Sequence, residues 1–215
     1  AALATLRGRA WDAGGDRRTD ARRALRTSVG TGGTVVSLPT RDRKQSEVRA
    51  TWLVDVSRSV LDTVDRGFLL DTLGRTRTAW RDCRVFFFDE DVREVTSAFD
   101  DGTASGAAEA LADAEAEWGG GTRIGGSLAE LRATSPDAVD NRTVVFVVSD
   151  GLEMGDVSAL ERELAWLSSH AAAVVWCNPL AAAPGFEPTA GGMAAALPFV
   201  AGPFAFADPD DVAEL

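Results

Sequence analysis

The sequence predicts an α/β fold: a doubly wound, mostly parallel sheet with helices on both faces, Rossmann-like, and one short antiparallel edge strand. Three observations predict it. Thr143–Val148 is a continuous β-branched and aromatic run, the mark of a strand buried on both faces of a parallel sheet. From Val48 onward apolar strands alternate with helical patterns, the order that builds parallel layers. Hydroxyls and carboxylates gather where apolar strands end, which is where such sheets bind ligands.

Residues 1–33 are polar and Arg-rich, with one helix expected at Asp20–Val29 before Gly30, Gly32 and Gly33. Two apolar stretches follow, Thr34–Leu38 and Val48–Val54. The polar Pro39–Glu47 between them reads as a hairpin, or as the link from an edge strand into a central one. Val60–Arg81 puts Val60, Val64, Phe68, Leu73 and Trp80 near one helical face. Arg84–Asp89 and Val92–Thr96 are short strands around the acidic turn Asp89-Glu90-Asp91. Ala104–Glu117 and Gly125–Ala133 read as helices. Asp156–Ser169 is an amphipathic helix with Val157, Leu160, Leu164 and Leu167 inward and a capping box at Ser158 and Glu161. Ala172–Trp176 is a further buried strand. A Pro/Gly/Ala-rich stretch comes next, and Asp208-Pro209 begins a last short helix. No solenoid-length repeat is present.

The expected organisation is a basic N-terminal extension, 1–47, and one α/β domain with a C-terminal tail, 48–215. Residues 1–49 hold eleven basic and five acidic side chains, a net +6; the rest hold eleven and twenty-eight, a net −17, which together give the formal −11. So acidic a body repels nucleic acid and anionic membrane, and no apolar run approaches the ~20 residues of a membrane span. The basic extension fits either an acidic partner or the chain's own acidic body. Cys83 and Cys177 stand far apart, as two buried thiols of a reducing cytoplasm would. Lys44 is the lone lysine against twenty-one arginines and twenty-one aspartates, a bias that fits a salt-loving organism or a GC-rich genome. The chain opens Ala1-Ala2-Leu3 without methionine, as a fragment or an incomplete start would.

The strand Thr51–Val54 runs into Asp55-Val56-Ser57-Arg58-Ser59. In an extended turn alternate residues point the same way, so Asp55, Ser57 and Ser59 converge. Thr122, on the glycine-rich Trp118–Ser127 loop, adds a fourth oxygen, and Asp150, ending the Thr143–Val148 strand, adds a second carboxylate. Hard oxygens of this kind suit Mg²⁺ or Mn²⁺ and are poor ligands for zinc or copper.

DxSxS with a distant Thr and a distant Asp resembles the metal-ion-dependent adhesion site of von Willebrand factor A (VWA) domains. The resemblance implies that Asp55, Ser57, Ser59, Thr122 and Asp150 hold Mg²⁺ directly or through water, with an open position for a carboxylate of a ligand protein. The chain is more closely similar to the CoxE-like branch of that family. This rests on Arg18-Thr19…Arg26 before a Gly-Gly, Trp118-Gly119-Gly120-Gly121-Thr122, Ser149-Asp150-Gly151-Leu152, Trp176-Cys177-Asn178-Pro179-Leu180 and Gly192-Met193-Ala194-Ala195-Ala196-Leu197-Pro198, spanning residues 18–215. That resemblance implies a MoxR-type AAA+ ATPase as partner and a role in maturing or assembling metalloenzymes. One position departs: the residue between the serines, usually glycine in that branch, is Arg58, followed by Val60 where methionine is common. A guanidinium there opposes cation binding, or grips a partner's acid from the rim of the site.

Rival chemistries fit less well. A haloacid-dehalogenase-like phosphatase would use Asp55 as nucleophile but needs a carboxylate two residues on as general acid, where Ser57 stands. Gly120–Ser127 approaches a phosphate-binding loop, yet Gly126 replaces its lysine. Ala129 breaks the one near match to GxSxG, and the sole histidine, His170, ends a helix. With no acid–base pair beyond the metal ligands, a protein-binding module is expected and an enzyme is not. The six tryptophans fall mainly in apolar faces; Trp118, flanking the Thr122 loop, either packs in the core or lines a partner groove.

Overall fold

The computed structural model describes residues 5–19, 40–80, 82–100, 104–118 and 121–211. The chain divides into two compact units, Ala1–Glu47 and Val48–Leu215. In the first, β1 (Thr5–Thr19) pairs antiparallel with β2 (Thr40–Glu47), Thr5 opposite Glu47 and Thr19 opposite Thr40. The polar segment expected to be a connector is therefore itself a strand. Backbone pairing makes this ribbon, and its sequence carries no alternating apolar face to announce it. The helix expected at Asp20–Val29 and the strand at Thr34–Leu38 lie outside the described residues.

In the second unit, six strands form one sheet in the order β5-β4-β3-β6-β7-β8. These are β3 (Arg49–Asp55), β4 (Cys83–Phe88), β5 (Val92–Glu94), β6 (Thr143–Val148), β7 (Ala173–Asn178) and β8 (Ala201–Ala205). All pairings are parallel except β4 with the short edge strand β5. The helices are α1 (Arg58–Leu61), α2 (Arg66–Ala79), α3 (Ala104–Glu117), α4 (Ile124–Thr134), α5 (Val157–His170) and α6 (Gly191–Ala196). Alternation along β3 sorts two cores. Trp52 and Val54 face a cluster with Leu69, Leu73 and Leu111 of α2 and α3, whereas Leu53 faces one with Leu128, Leu131, Leu160 and Leu164 of α4 and α5. Helices thus cover both faces, and the expected α/β fold is the observed one. Trp52 stacks on Phe146 across the β3–β6 pair at 4.4 Å between ring centroids.

Local expectations differ in four places. The helix read across Val60–Arg81 is two helices, because the Asp65 carboxylate accepts from Phe68 N at 2.6 Å and starts a new one. The capping box at Ser158 and Glu161 is replaced by Asp156, which accepts from Ser158 N at 3.0 Å. Val157 is exposed, and Glu163 is the unexpected buried member of that helix, held by Arg132 and Arg162. The Pro/Gly/Ala-rich stretch contains α6 and β8, which were not foreseen. Cys83 and Cys177 are free and buried, and burial pushes both thiols up to about 12.

Gly125 lets α4 and α5 meet: a Cβ there would lie 2.6 Å from Leu160 N, whereas one on Gly74 of α2 would meet nothing within 4 Å. Denaturant melts should therefore move in opposite directions. Gly125→Ala should lose about 1–3 kcal/mol by overpacking, and Gly74→Ala should gain about 0.4–1 kcal/mol through helix propensity. Equal effects would contradict this packing.

Candidate metal centre

Connections leave β3 and β6 toward opposite sides of the sheet, so a crevice opens at their carboxyl ends. Asp55 is the last residue of β3 and has no exposed surface. Its Oδ1 accepts from Ser57 N at 2.9 Å and its Oδ2 from the Ser149 hydroxyl at 2.7 Å. Burial, the dominant influence, pushes its carboxyl up to about 7; the bonds to Ser57 and Ser149 pull the other way, and the nearby charge of Asp150 adds to the rise. Ser57 caps α1, with its hydroxyl 3.2 Å from that of Ser59 on the helix.

Asp150 follows β6 and is buried, with Oδ1 accepting from Leu152 N at 3.0 Å. Gly151 turns the chain there at φ +81°, and a Cβ would meet that of Met193 at 2.7 Å. Thr122 is buried and follows Gly121 at φ +116°. Its carbonyl accepts from Met154 N at 2.9 Å, which ties the glycine loop to the segment after Asp150. The five residues expected as ligands therefore all lie at one end of the sheet. Side-chain contacts link Asp55, Ser57 and Ser59; charge links Asp55 to Asp150; a backbone bond brings in Thr122.

Arg58 is exposed and Trp118 half-buried, and they line one cleft of about 410 Å³ with Val56, Asp62, Arg66, Asp89 and Glu115. Trp118 packs against the α2–α3 core and also forms a wall of this cleft, with the Arg93 guanidinium 5.1 Å above its ring. A larger groove, about 510 Å³ between α2 and α3, includes none of the expected ligands. His170 is exposed at the end of α5 and stacks on Trp166, away from these acids.

Two residues escaped the sequence reading. Ser149 is buried, donates to Asp55, and accepts from Gly151 N at 3.1 Å. Asp89, just past β4, is buried, with a carboxyl raised mainly by burial and held back by the nearby Thr122. Adjacency to Asp150-Gly151 was a signal for Ser149; Asp89 was hidden among three acids of one turn.

The donor set is carboxylate and hydroxyl oxygen throughout. Among the described residues no group of three or more His, Cys, Asp or Glu is placed to hold a metal ion, so a cation here would rest on two carboxylates and neutral hydroxyls. One buried carboxylate oxygen, Oδ1 of Asp89, has no partner. These residues fit a hard divalent cation.

The fold and this oxygen cluster define an open α/β domain with its polar site at the switch point of the sheet. The chain belongs to the family of VWA domain containing CoxE-like proteins, whose model matches residues 1–207. Among solved structures it is similar to the von Willebrand factor type A protein from Catenulispora acidiphila, at 20% identity and TM-score 0.51, covering 82% of this chain and 42% of that one. It also matches proximal thread matrix protein 1 from the mussel byssus with a zinc-occupied MIDAS motif (17%, TM-score 0.41, covering 61% and 37%). Manganese-loaded Plasmodium vivax TRAP protein matches at 12% and TM-score 0.41, covering 65% of each. No curated protein matches. The chain spans about two fifths of the length of the byssus and Catenulispora chains.

Ser149→Ala should lower unfolding free energy by about 1–3 kcal/mol, since it leaves a buried carboxylate oxygen and the Gly151 N–H without their partner. Urea melts of both proteins check this, and an unchanged midpoint and slope would contradict it.

Proposed function

We propose that this chain is a metal-dependent protein-binding domain that works as an adaptor or chaperone and not as a catalyst. One Mg²⁺ or Mn²⁺ is held by Asp55, Ser57, Ser59, Thr122 and Asp150, some through water, and its open position takes an Asp or Glu of a partner protein. The observation that carries this reading is the gathering of two buried carboxylates and three hydroxyls at the switch point of the sheet. The MIDAS named for the mussel protein and the manganese named for the Plasmodium protein agree in kind.

Two carboxylates neutralise a divalent ion, so a partner's acid is drawn by the cation's local field and by groups at the rim. Arg58 is such a group: exposed on the cleft wall, it can pair with the partner's carboxylate or a second one. Trp118 offers a ring face on the same cleft. The segment after Asp150 exposes Leu152 and Met154, at 48% and 74%, side chains suited to covering a docked segment. Ser57 stands where phosphatase chemistry needs an acid, which favours binding over hydrolysis. Family membership makes a MoxR-type AAA+ ATPase and metalloenzyme assembly the best assignment of partner and task. The acidic body argues against nucleic acid or anionic membrane as partner. Among the described residues no helix is long and apolar enough to cross a membrane, and the two free buried thiols fit a reducing cytoplasm.

Calorimetric titration with Mn²⁺ should show one site, with Kd on the order of 10⁻⁴–10⁻³ M for so few charged ligands. Asp55→Ala should lose it; equal heats in both proteins would remove the metal site. Pull-downs from native lysate should retain the partner in Mn²⁺ and release it in EDTA. If Arg58 grips the partner's acid, Arg58→Gly tightens Mn²⁺ while weakening the partner by about 1–3 kcal/mol. Tightening of both would mean that Arg58 only repels the cation.

A further inference from the structure

Helix α4 starts directly after the Thr122 loop without a cap of its own. Arg123 stands at its N-cap with no side-chain bond, and its first turn holds no acid. The first N–H groups of a helix have no partner within it, and the helix dipole favours a carboxylate there. That carboxylate comes from the segment after Asp150. Glu153 accepts from Gly125 N at 2.8 Å through Oε2, across 28 residues of sequence. Its Oε1 accepts from Gly155 N at 2.6 Å, which fixes the turn that carries it. None of the roles above uses this side chain.

Two glycines keep the place open. A Cβ on Gly155 would lie 2.8 Å from Glu153 Oε1, and one on Gly192 of α6 would lie 2.9 Å from Glu153 Cβ. Beside the carboxylate a second bond runs the same way, from Met154 N to Thr122 O at 2.9 Å. Two consecutive residues after Asp150 therefore hold the chain on Thr122 itself and on the first turn of the helix it leads into. One bond would act as a pivot; two fix the orientation of one loop against the other. Capping alone needs no such reach, since Asp65 and Asp156 cap α2 and α5 from the residue just before each helix.

We propose that Glu153 is a positioning residue of the metal centre: its carboxylate clamps the Thr122 loop against the segment that follows Asp150. The inference rests on the metal-site reading above and extends it. Both Glu153 oxygens are spent on backbone N–H groups, so Glu153 is not itself a ligand. A neutral hydroxyl such as that of Thr122 is a weak ligand, and its contribution depends on being held where the cation sits. Groups that orient ligands in this way affect metal affinity without touching the metal.

The test uses the full chain with Mn²⁺ as probe, binding being followed by the EPR signal of the free ion, and melts in EDTA report whether each variant folds. Glu153→Ala should weaken Mn²⁺ by roughly 10–100-fold, the range for losing a group that orients a ligand. Glu153→Gln keeps one acceptor oxygen and should recover most of this, leaving a loss of about three- to tenfold. Arg123→Ser gives α4 a cap from its own N-cap position. If Glu153 only capped the helix, Glu153→Ala would cost little in that background; the clamp predicts the same loss relative to Arg123→Ser alone. Affinity within about twofold of the parent protein for Glu153→Ala, in either background, would overturn the proposal. Should Glu153→Ala not fold, Glu153→Gln decides, and affinity within about twofold of wild type overturns the proposal there too. Asp55→Ala separates the two readings: if it binds Mn²⁺ like wild type the metal site itself fails, whereas its loss with Glu153→Ala unchanged sinks only the role of Glu153.

Discussion

A carboxylate with no exposed surface at the end of the central strand, Asp55, is the constraint to which the surrounding architecture answers. Burying an acid requires donors, and they come from near and far along the chain: Ser57 N from the turn that follows, and the Ser149 hydroxyl from the end of β6. Ser149 is fixed in turn, because its carbonyl accepts from Trp176 Nε1 at 2.9 Å. The carbonyl of Asp150 accepts from Asn178 Nδ2 at 3.2 Å. A polar thread thus runs from β3 through β6 to β7 along one end of an otherwise apolar sheet. Such buried networks fix register as well as geometry, and here they place the oxygens at the one crevice the topology leaves open.

The same thread explains which parts of the chain were legible in its sequence. Thr143–Val148 and Ala104–Glu117 have the expected bounds because each is a long run of one periodicity. The break at Asp65 was not visible, since Val60, Val64, Phe68 and Leu73 keep their apolar spacing across it while the cap bond depends on the turn. Helix α6, Gly191–Ala196, has no polar face and exists through tertiary fit: a Cβ on Gly192 would come within 2.6 Å of Gly151 O. In β8, Gly202 and Pro203 are residues that discourage a strand assignment. The placement of the five expected oxygen donors at one end of the sheet was legible because hydroxyls and carboxylates at strand ends form a pattern. The burial of Asp89 was not, because burial and an unpartnered oxygen are properties of the packed state that Glu90 and Asp91 mask in the sequence.

Charge connects the site to the stability of the domain. Asp55, Asp89 and Asp150 are buried close to one another's strands, in a body whose net charge is already strongly negative. Without a counter-charge a buried carboxyl group must keep its proton or bear the desolvation of its ionised form, and the rise of the Asp55 carboxyl to about 7 is that tension expressed at one residue. In this account a divalent cation relieves it, so cation binding adds to folding free energy by mass action, about 2.7 kcal/mol at a hundredfold excess over Kd. On the proposed reading the exposed Arg58 supplies the positive rim of the site and the buried carboxylates the negative charge beneath it.

The central claim is the position of a single cation among these oxygens. Crystals of the full chain soaked in Mn²⁺ and measured for anomalous scattering test it most directly. The account predicts one strong peak at the carboxyl end of β3, with Ser57, Ser59 and Thr122 hydroxyls at about the 2 Å expected for a small hard cation and the carboxylates of Asp55 and Asp150 ligating directly or through water. A peak elsewhere on the acidic surface, or none at this site in Mn²⁺ well above the calorimetric range, would contradict it.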